Sequence, residues 1–470
     1  MNEVIRKSHG GNIFALFEIG ALISTFICFY KVNSDSKYLL FILPFGYFFA
    51  SVIFNINFKN ITKHISKLLI VSLYFVRMVI LPFLYSANVN RQLFEGKNSI
   101  DTNFSKACIL MCYEYFIVHL VIYFYEHKKT GKKWKIRPIA LHIDISKVLI
   151  IFLAIYVVGI ALFMPQYSES FKTIFRLVDA DFAVGIARTE YNVGSIGRIL
   201  KTLFSMSVQL FRILFPAFLL KRMYRISSKG CTIILISSCI LQFMFLTSTF
   251  AEAIVSCLAI VMFYIKLYPQ KRKKTFLFLA VSTLGMLILY FVVRYFVNTT
   301  VGLYSKDSGV MSYAAQIINA YFTGVDNVSA IFNIPLGYGA EAFKAGILGA
   351  IPFNSTIFGN RGNKLQYYYN LYNNSYGQIP PTIGAGYYYF GALLSPIITG
   401  IFIILSMSYY KKAEYMNASL KYVAIIFCSV TFALGTVMYS PSITLSWYFS
   451  WGIPMLILTL FTNENEGNKS

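Results

Sequence analysis

An all-α polytopic membrane bundle is the fold class this sequence predicts, and three observations predict it. Hydrophobic residues make up 57% of the 470 and charged residues 13%, about half the charged share of an average soluble domain. Apolar stretches long enough to cross a bilayer recur from end to end. The basic residues gather in short clusters between those stretches, on alternate connections. Together these predict about twelve helices in a single integral membrane domain, residues 1–470, with both ends on the cytoplasmic side.

The predicted spans are 12–30, 38–54, 67–86, 104–125, 146–164, 198–220, 231–249, 250–268, 275–297, 386–410, 420–439 and 443–461. Arg6 and Lys7 precede the first, and no small-residue cleavage site follows Tyr30. That stretch therefore reads as a retained helix and not as a signal peptide. The second span is short. The join between the seventh and eighth is tight enough for a re-entrant hairpin. Orientation comes from KHISK at 63–67, the basic run 128–137, KRMYR at 221–225, QKRKK at 270–274 and the pair Lys411–Lys412. Placing these loops in the cytoplasm assigns most of the 42 basic residues to short inner segments.

Two external loops remain, at about 165–197 and 298–385. The second is far longer than ordinary connections, and such loops are functional or disordered. Its content of tyrosine, asparagine and glycine, as in QYYYNLYNNSYGQ at 366–378, is too aromatic for disorder. Short helices lying on the outer membrane face are expected there. No internal repeat of the transporter kind is visible.

Several classes of chemistry are excluded or disfavoured. A net charge of +23 would suggest nucleic acid in a soluble protein, but here it writes topology, so no nucleic-acid partner is expected. The seven cysteines all lie in apolar stretches and the five histidines all lie in the first third, so neither a disulfide framework nor a zinc site is expected. No nucleotide-binding or hydrolase motif has its required context, and no cofactor is expected.

Four constellations are candidates for chemistry. Tyr372, Asn374, Tyr376 and Gln378, with their neighbours, combine rings for sugar CH faces with amides for hydroxyls. An interfacial aromatic belt is the alternative. Arg176, Arg188, Arg198, Arg294, Arg361 and Lys364 are external cations suited to a pyrophosphate or to anionic lipid headgroups. Arg188 and Arg361 lie clear of span ends and are the candidates for the reaction itself. Arg77 and Glu114 sit near the middle of adjacent spans and are expected to form an ion pair, while Arg212 is placed to snorkel toward the inner face. Glu252, in TSTFAEA at 247–253, is either a general base or an exposed turn carboxylate.

The layout resembles the Wzy-type O-antigen and capsular polysaccharide polymerases. The resemblance rests on the large outer loop in the second half and on NNSYGQIPPTIGAGYYYFGALLSPIITG at 373–400. That segment is similar to the family's prolines, glycine, aromatic and Phe-Gly where the last long loop re-enters the membrane. YFTG at 321–324 is similar to a Tyr-x-x-Gly segment of that loop, and TSTFAEAIV at 247–255 stands where members carry a T-G-S-R-like turn. Here Phe250 or Ala251 replaces the turn arginine, and Ala385 and Gly386 replace an acidic residue. The resemblance implies a GT-C-like helical bundle in the bacterial cytoplasmic membrane. It further implies that a glycan on undecaprenyl pyrophosphate is transferred to a new lipid-linked repeat unit on the outer leaflet, without nucleotide sugar. Glu252, Arg188 and Arg361 would be catalytic. The implied partners are polyprenyl-pyrophosphate-linked oligosaccharides, membrane lipids, and a chain-length regulator and flippase of the same pathway. The alternatives are a lipid-linked oligosaccharide flippase, an O-antigen ligase, whose loop histidine is missing here, and a small-solute transporter.

Overall fold

The computed structural model describes residues 9–32, 37–54, 65–87, 101–127, 146–163, 195–246, 249–300, 309–354, 364–375 and 378–460. Every regular element among them is helical. The chain runs through α1 (His9–Lys31), a 3-10 turn (Tyr38–Phe41) opening α2 (Ile42–Ile53), α3 (Ile65–Ala87), α4 (Phe104–His127), α5 (Ser146–Phe163), α6 (Ser195–Met223), α7 (Ser228–Leu241), α8 (Phe250–Leu267) and α9 (Arg272–Thr300). It continues through α10 (Gly309–Tyr321), α11 (Val325–Ser329), α12 (Gly339–Ala350), α13 (Lys364–Asn373), α14 (Thr382–Leu394), α15 (Ile397–Glu414), α16 (Leu420–Gly435) and α17 (Pro441–Leu460).

Each of the twelve apolar stretches falls on helix, but twelve spanning helices is more than the described residues provide. Four helices, α3, α4, the stretch Ile199–Met223 of α6, and α17, are long and apolar enough to cross a membrane. Two bent pairs raise the number to six if each pair is one span. The stretches Tyr38–Ile53, Lys147–Gly159, Ser228–Met244 and Leu420–Gly435 are apolar but 10–17 residues long, short of the ~20 that a span requires. The stretch 386–410 is not one straight helix. Gly391 stands at φ 80°, a conformation that side-chain-bearing residues avoid. Pro396 follows, and α14 and α15 meet there at 109°.

Outward-facing apolar side chains identify the surface as one made for lipid. Phe26, Ile155, Leu162 and Leu277 are each at least two-thirds exposed, on helices that carry further exposed Ile, Val and Phe. A water-facing helix turns its polar side outward; α1 and α5 expose mainly apolar side chains. The described residues thus define a helical membrane protein.

The helices sort into two compact units, each assembled from separate stretches of chain. The first unit draws on residues within 1–133, 311–410 and 431–446, and the second on residues within 134–310, 411–430 and 447–470. In the first, α2 packs on α4 and on α1, and the short helix α11 also packs on α4. In the second, α6 packs against α5, α7 and α8.

Candidate functional site

The described part of the long loop expected at 298–385 folds into short helices with a core of their own. Ala330, Ile331 and Ile334 meet Ala342 of α12, Leu365 and Tyr369 of α13, and Ala385 and Tyr388 of α14. Spacing by four sets the inner face of α13 as Leu365, Tyr369 and Asn373, all buried. Tyr369 donates its hydroxyl to the Asn327 carbonyl at 3.0 Å. Burial, reinforced by nearby Asp326, holds that phenol well above its usual pKa, so it remains a donor. An amide chain continues the lock. Asn319 donates to Asn327 (2.8 Å), Asn327 to Gln378 (3.0 Å), and Asn103 to Asn333 (3.0 Å), which donates to Asn373 (2.8 Å).

On the opposite side of α13 the aromatic residues face outward. Tyr338, Tyr367 and Tyr372 are exposed and converge on Tyr368. Tyr338 stacks on it at 6.0 Å between centroids, Tyr367 meets it edge-on at 5.6 Å, and Tyr372 lies tilted at 6.4 Å. Asn374, also exposed, closes α13 at φ 49°, a conformation that asparagine tolerates.

The same segment does not lie wholly on a surface. Its YFTG turn reaches the depth of the Arg77–Glu114 pair. Arg77 Nη1 donates to Glu114 Oε2 at 2.7 Å, and Arg77 Nε donates to the Thr323 carbonyl at 3.0 Å. Thr399 of α15 donates to Glu114 Oε1 at 2.8 Å, and Thr323 donates to the Val437 carbonyl at 2.6 Å. Arg77 and Glu114 are essentially without solvent. Glu114 lies about 15 Å along α4 from Phe104, midway through that helix. The turn thus inserts deep among the helices of the first unit. Its geometry needs Gly324, where an added Cβ would stand 2.1 Å from Asn319 Oδ1, and it holds Thr323 at φ 42°. A cavity of about 10 Å³, lined by Arg77, Tyr85 and Asn319 among apolar neighbours, adjoins the pair; it is about the size of one water molecule.

The second unit contains its own buried ion pair. Thr249 caps α8 by accepting from the Glu252 amide at 3.2 Å, which places the carboxylate in the first turn, at the positive end of the helix dipole. Glu252 Oε2 accepts from Gln209 Nε2 at 2.8 Å and from Arg212 Nη1 at 3.5 Å, both on one face of α6. Pro216 has no amide hydrogen for the Arg212 carbonyl, and Gln242 Nε2 supplies one at 2.6 Å. Arg212 is 1% exposed, so it does not snorkel to an aqueous face. Glu252 is 6% exposed, so it is not an exposed turn carboxylate.

Of the other residues singled out, Tyr372 and Asn374 lie on the exposed face of α13. Gln378 does not: it is buried and bonded to Asn327, so it holds the segment together. Arg198 falls within α6, Arg294 within α9 rather than at its end, and Lys364 opens α13; the description covers their backbone only. Arg176, Arg188, Arg361 and Tyr376 lie outside the described residues. Sequence reasoning missed Gln209, Gln242, Thr323 and Thr399. The signals were a glutamine three residues before Arg212, a proline four after it, and the Thr249-x-x-Glu252 capping spacing. Thr323 lies in the YFTG stretch noted in the sequence, and nothing local marked Thr399. Among the described residues no group of His, Cys, Asp and Glu could hold a metal ion.

The chain matches no family model, no characterised protein and no solved structure.

Proposed function

We propose that this protein is a polysaccharide polymerase. In this reading it transfers a growing glycan from undecaprenyl pyrophosphate to the next lipid-linked repeat unit, at the outer face of a bacterial cytoplasmic membrane. The reading includes a multi-pass topology of about twelve crossings with both ends inside, and a flippase and chain-length regulator as partners. One observation carries it. The long outer segment is a folded element, locked by buried amides and inserted among the helices, that presents Tyr338, Tyr367, Tyr368 and Tyr372 together on its outer side. Clustered rings stack on the CH faces of sugars, and Asn374 adds an amide for hydroxyls. An inward-facing set would not serve this purpose.

In this account the protein positions two lipid-linked sugars and stabilises the departing diphosphate by fixed cations. Arg188 and Arg361 are the cations proposed for that role. Losing a preorganised donor of this kind costs about a hundredfold in rate. Arg188→Ala and Arg361→Ala are expected to leave protein levels unchanged and to shift surface glycan from long chains to single units. Lysine at either site restores activity only in part, because it lacks the bidentate fork. Glu252, held by Arg212 and Gln209, is the residue proposed as general base for the acceptor hydroxyl. Cells lacking the protein should display single repeat units; full-length polymer in its absence sinks the proposal.

A further inference from the structure

Three connections of the second unit come together into one strongly cationic face. They are residues 221–229 after α6, 266–274 between α8 and α9, and 411–421 between α15 and α16. The Tyr268 hydroxyl donates to the Tyr224 carbonyl at 3.5 Å, and their rings meet edge-on at 5.0 Å. Lys271 donates to Ser228 and stands 5.0 Å over the Tyr268 ring. Lys266 donates to the Glu414 carbonyl at 3.0 Å and stands 5.5 Å over the Tyr422 ring. These contacts fix the three loops against one another.

The assembled face carries Lys221, Arg222, Arg225, Lys229, Lys266, Lys271, Arg272, Lys273, Lys274, Lys411, Lys412 and Lys421 against a single acid, Glu414. Arg222, Arg225, Lys229, Lys273, Lys274 and Lys412 are exposed. Orientation by positive charge accounts for basic residues near span ends. It does not account for locking three such clusters together, which raises their mutual repulsion. The net positive charge of these three connections favours an anionic partner. Tyr224, Ile226 and Tyr415 are interspersed among these charges, with Ile226 74% and Tyr415 80% exposed. Apolar side chains beside cations suit the boundary between headgroups and acyl chains, and arginine forks match phosphate oxygens.

We propose that this face is a binding site for the phosphate headgroups of anionic phospholipids. Arg222, Arg225, Lys273 and Lys274 contact phosphate, and Ile226 and Tyr415 enter the acyl boundary. The site is independent of the polymerase reading. An acidic polypeptide would satisfy the charge but leaves Ile226 and Tyr415 unexplained.

The test uses the full-length protein, purified in neutral detergent and titrated with phosphatidylglycerol or phosphatidylcholine while bound lipid is counted by native mass spectrometry. The wild type is expected to retain the anionic lipid on the order of tenfold more strongly, as a few surface cations would provide. The combined variant R222Q/R225Q/K273Q/K274Q should lose most of that preference. Lys201→Gln, on α6 but outside this face, should keep it, and Ile226→Ser should weaken retention of both lipids. Equal retention by the wild type, or full preference in the combined variant, overturns the proposal. Displacement of the lipid by inorganic pyrophosphate at matched phosphate concentration would indicate a free-phosphate site, and displacement by polyglutamate an acidic protein site; either overturns it. If the combined variant does not insert, the salt dependence of the wild type decides. Preference that fades with rising salt supports the site, and preference indifferent to salt contradicts it.

Discussion

Among the described residues each unit buries one arginine–carboxylate pair, and the pairs are built to different plans. In the first, Arg77 and Glu114 meet at 2.7 Å and take their other partners from far along the chain, Thr323 and Thr399. In the second, Arg212 and Glu252 stand 3.5 Å apart, and their partners Gln209 and Gln242 come from the same run of neighbouring helices, α6 to α8. The first pair ties the YFTG turn at 321–324 into the helices of its unit. The second closes a local helical packing, beside a proline break that Gln242 repairs. A buried charge costs a great deal unless it is paired, so in both cases the pair fixes which helices must be adjacent. Only the first also fixes where a long loop goes.

The comparison breaks most readily at Arg77. Arg77→Ala strands Glu114 and should destabilise the detergent-purified protein by about 3–5 kcal/mol, seen as a lowered thermal midpoint and less folded protein in the membrane. Arg77→Ala with Glu114→Ala should recover part of that loss; purely additive losses would contradict the pair. The accompanying effect is specific to this unit: Arg77→Ala should also expose a cysteine placed at Tyr369 to water-soluble thiol reagents, because the Thr323 carbonyl loses its anchor.

Glu252→Ala is expected to cost less than Arg77→Ala, because the pair it breaks is longer and its carboxylate is not wholly sealed. It should leave a cysteine at Tyr369 protected from the same reagents. Equal exposure of that cysteine in both variants would erase the distinction drawn between the units. Gln242→Leu is next. Removing the donor to the Arg212 carbonyl leaves a buried acceptor beside Pro216, a loss of about 1–3 kcal/mol. The smallest effect belongs to Tyr369→Phe, about 1 kcal/mol for one neutral hydrogen bond, read as a slight fall in the midpoint with the aromatic face unchanged. A drop as large as that of Arg77→Ala would mean that the amide lock, and not the ion pair, holds the segment.

Much of the helical layout is legible in the sequence because membrane insertion is decided locally, by runs of apolar residues and flanking charge. The Arg77–Glu114 pair is legible for the same reason: two charges near the centres of adjacent apolar stretches have few other options. What was not legible is distant in sequence. Thr323 and Thr399 look like any other threonines, and only the folded chain brings them to Arg77 and Glu114. The stretch 386–410 read as one helix because hydropathy does not register the positive φ of Gly391. Glu252 read as either a general base or an exposed turn carboxylate, and its partner Arg212 was not foreseen because it was assigned to the inner face. Gln378 shared a sequence run with Tyr372 and Asn374 and so was grouped with them. Periodicity separates these residues: the face of α13 bearing Leu365, Tyr369 and Asn373 turns inward, and Gln378 follows it into the amide network.

The polymerase reading is tested most directly by purified protein reconstituted with polyprenyl-pyrophosphate-linked repeat units and no nucleotide sugar, with products resolved by chain length. The account predicts a ladder of lengthening glycans with release of polyprenyl pyrophosphate. With Tyr367→Ala and Tyr372→Ala together it predicts products restricted to the first few additions. Movement of lipid-linked units between leaflets with no new glycosidic bond would contradict it and identify a flippase instead.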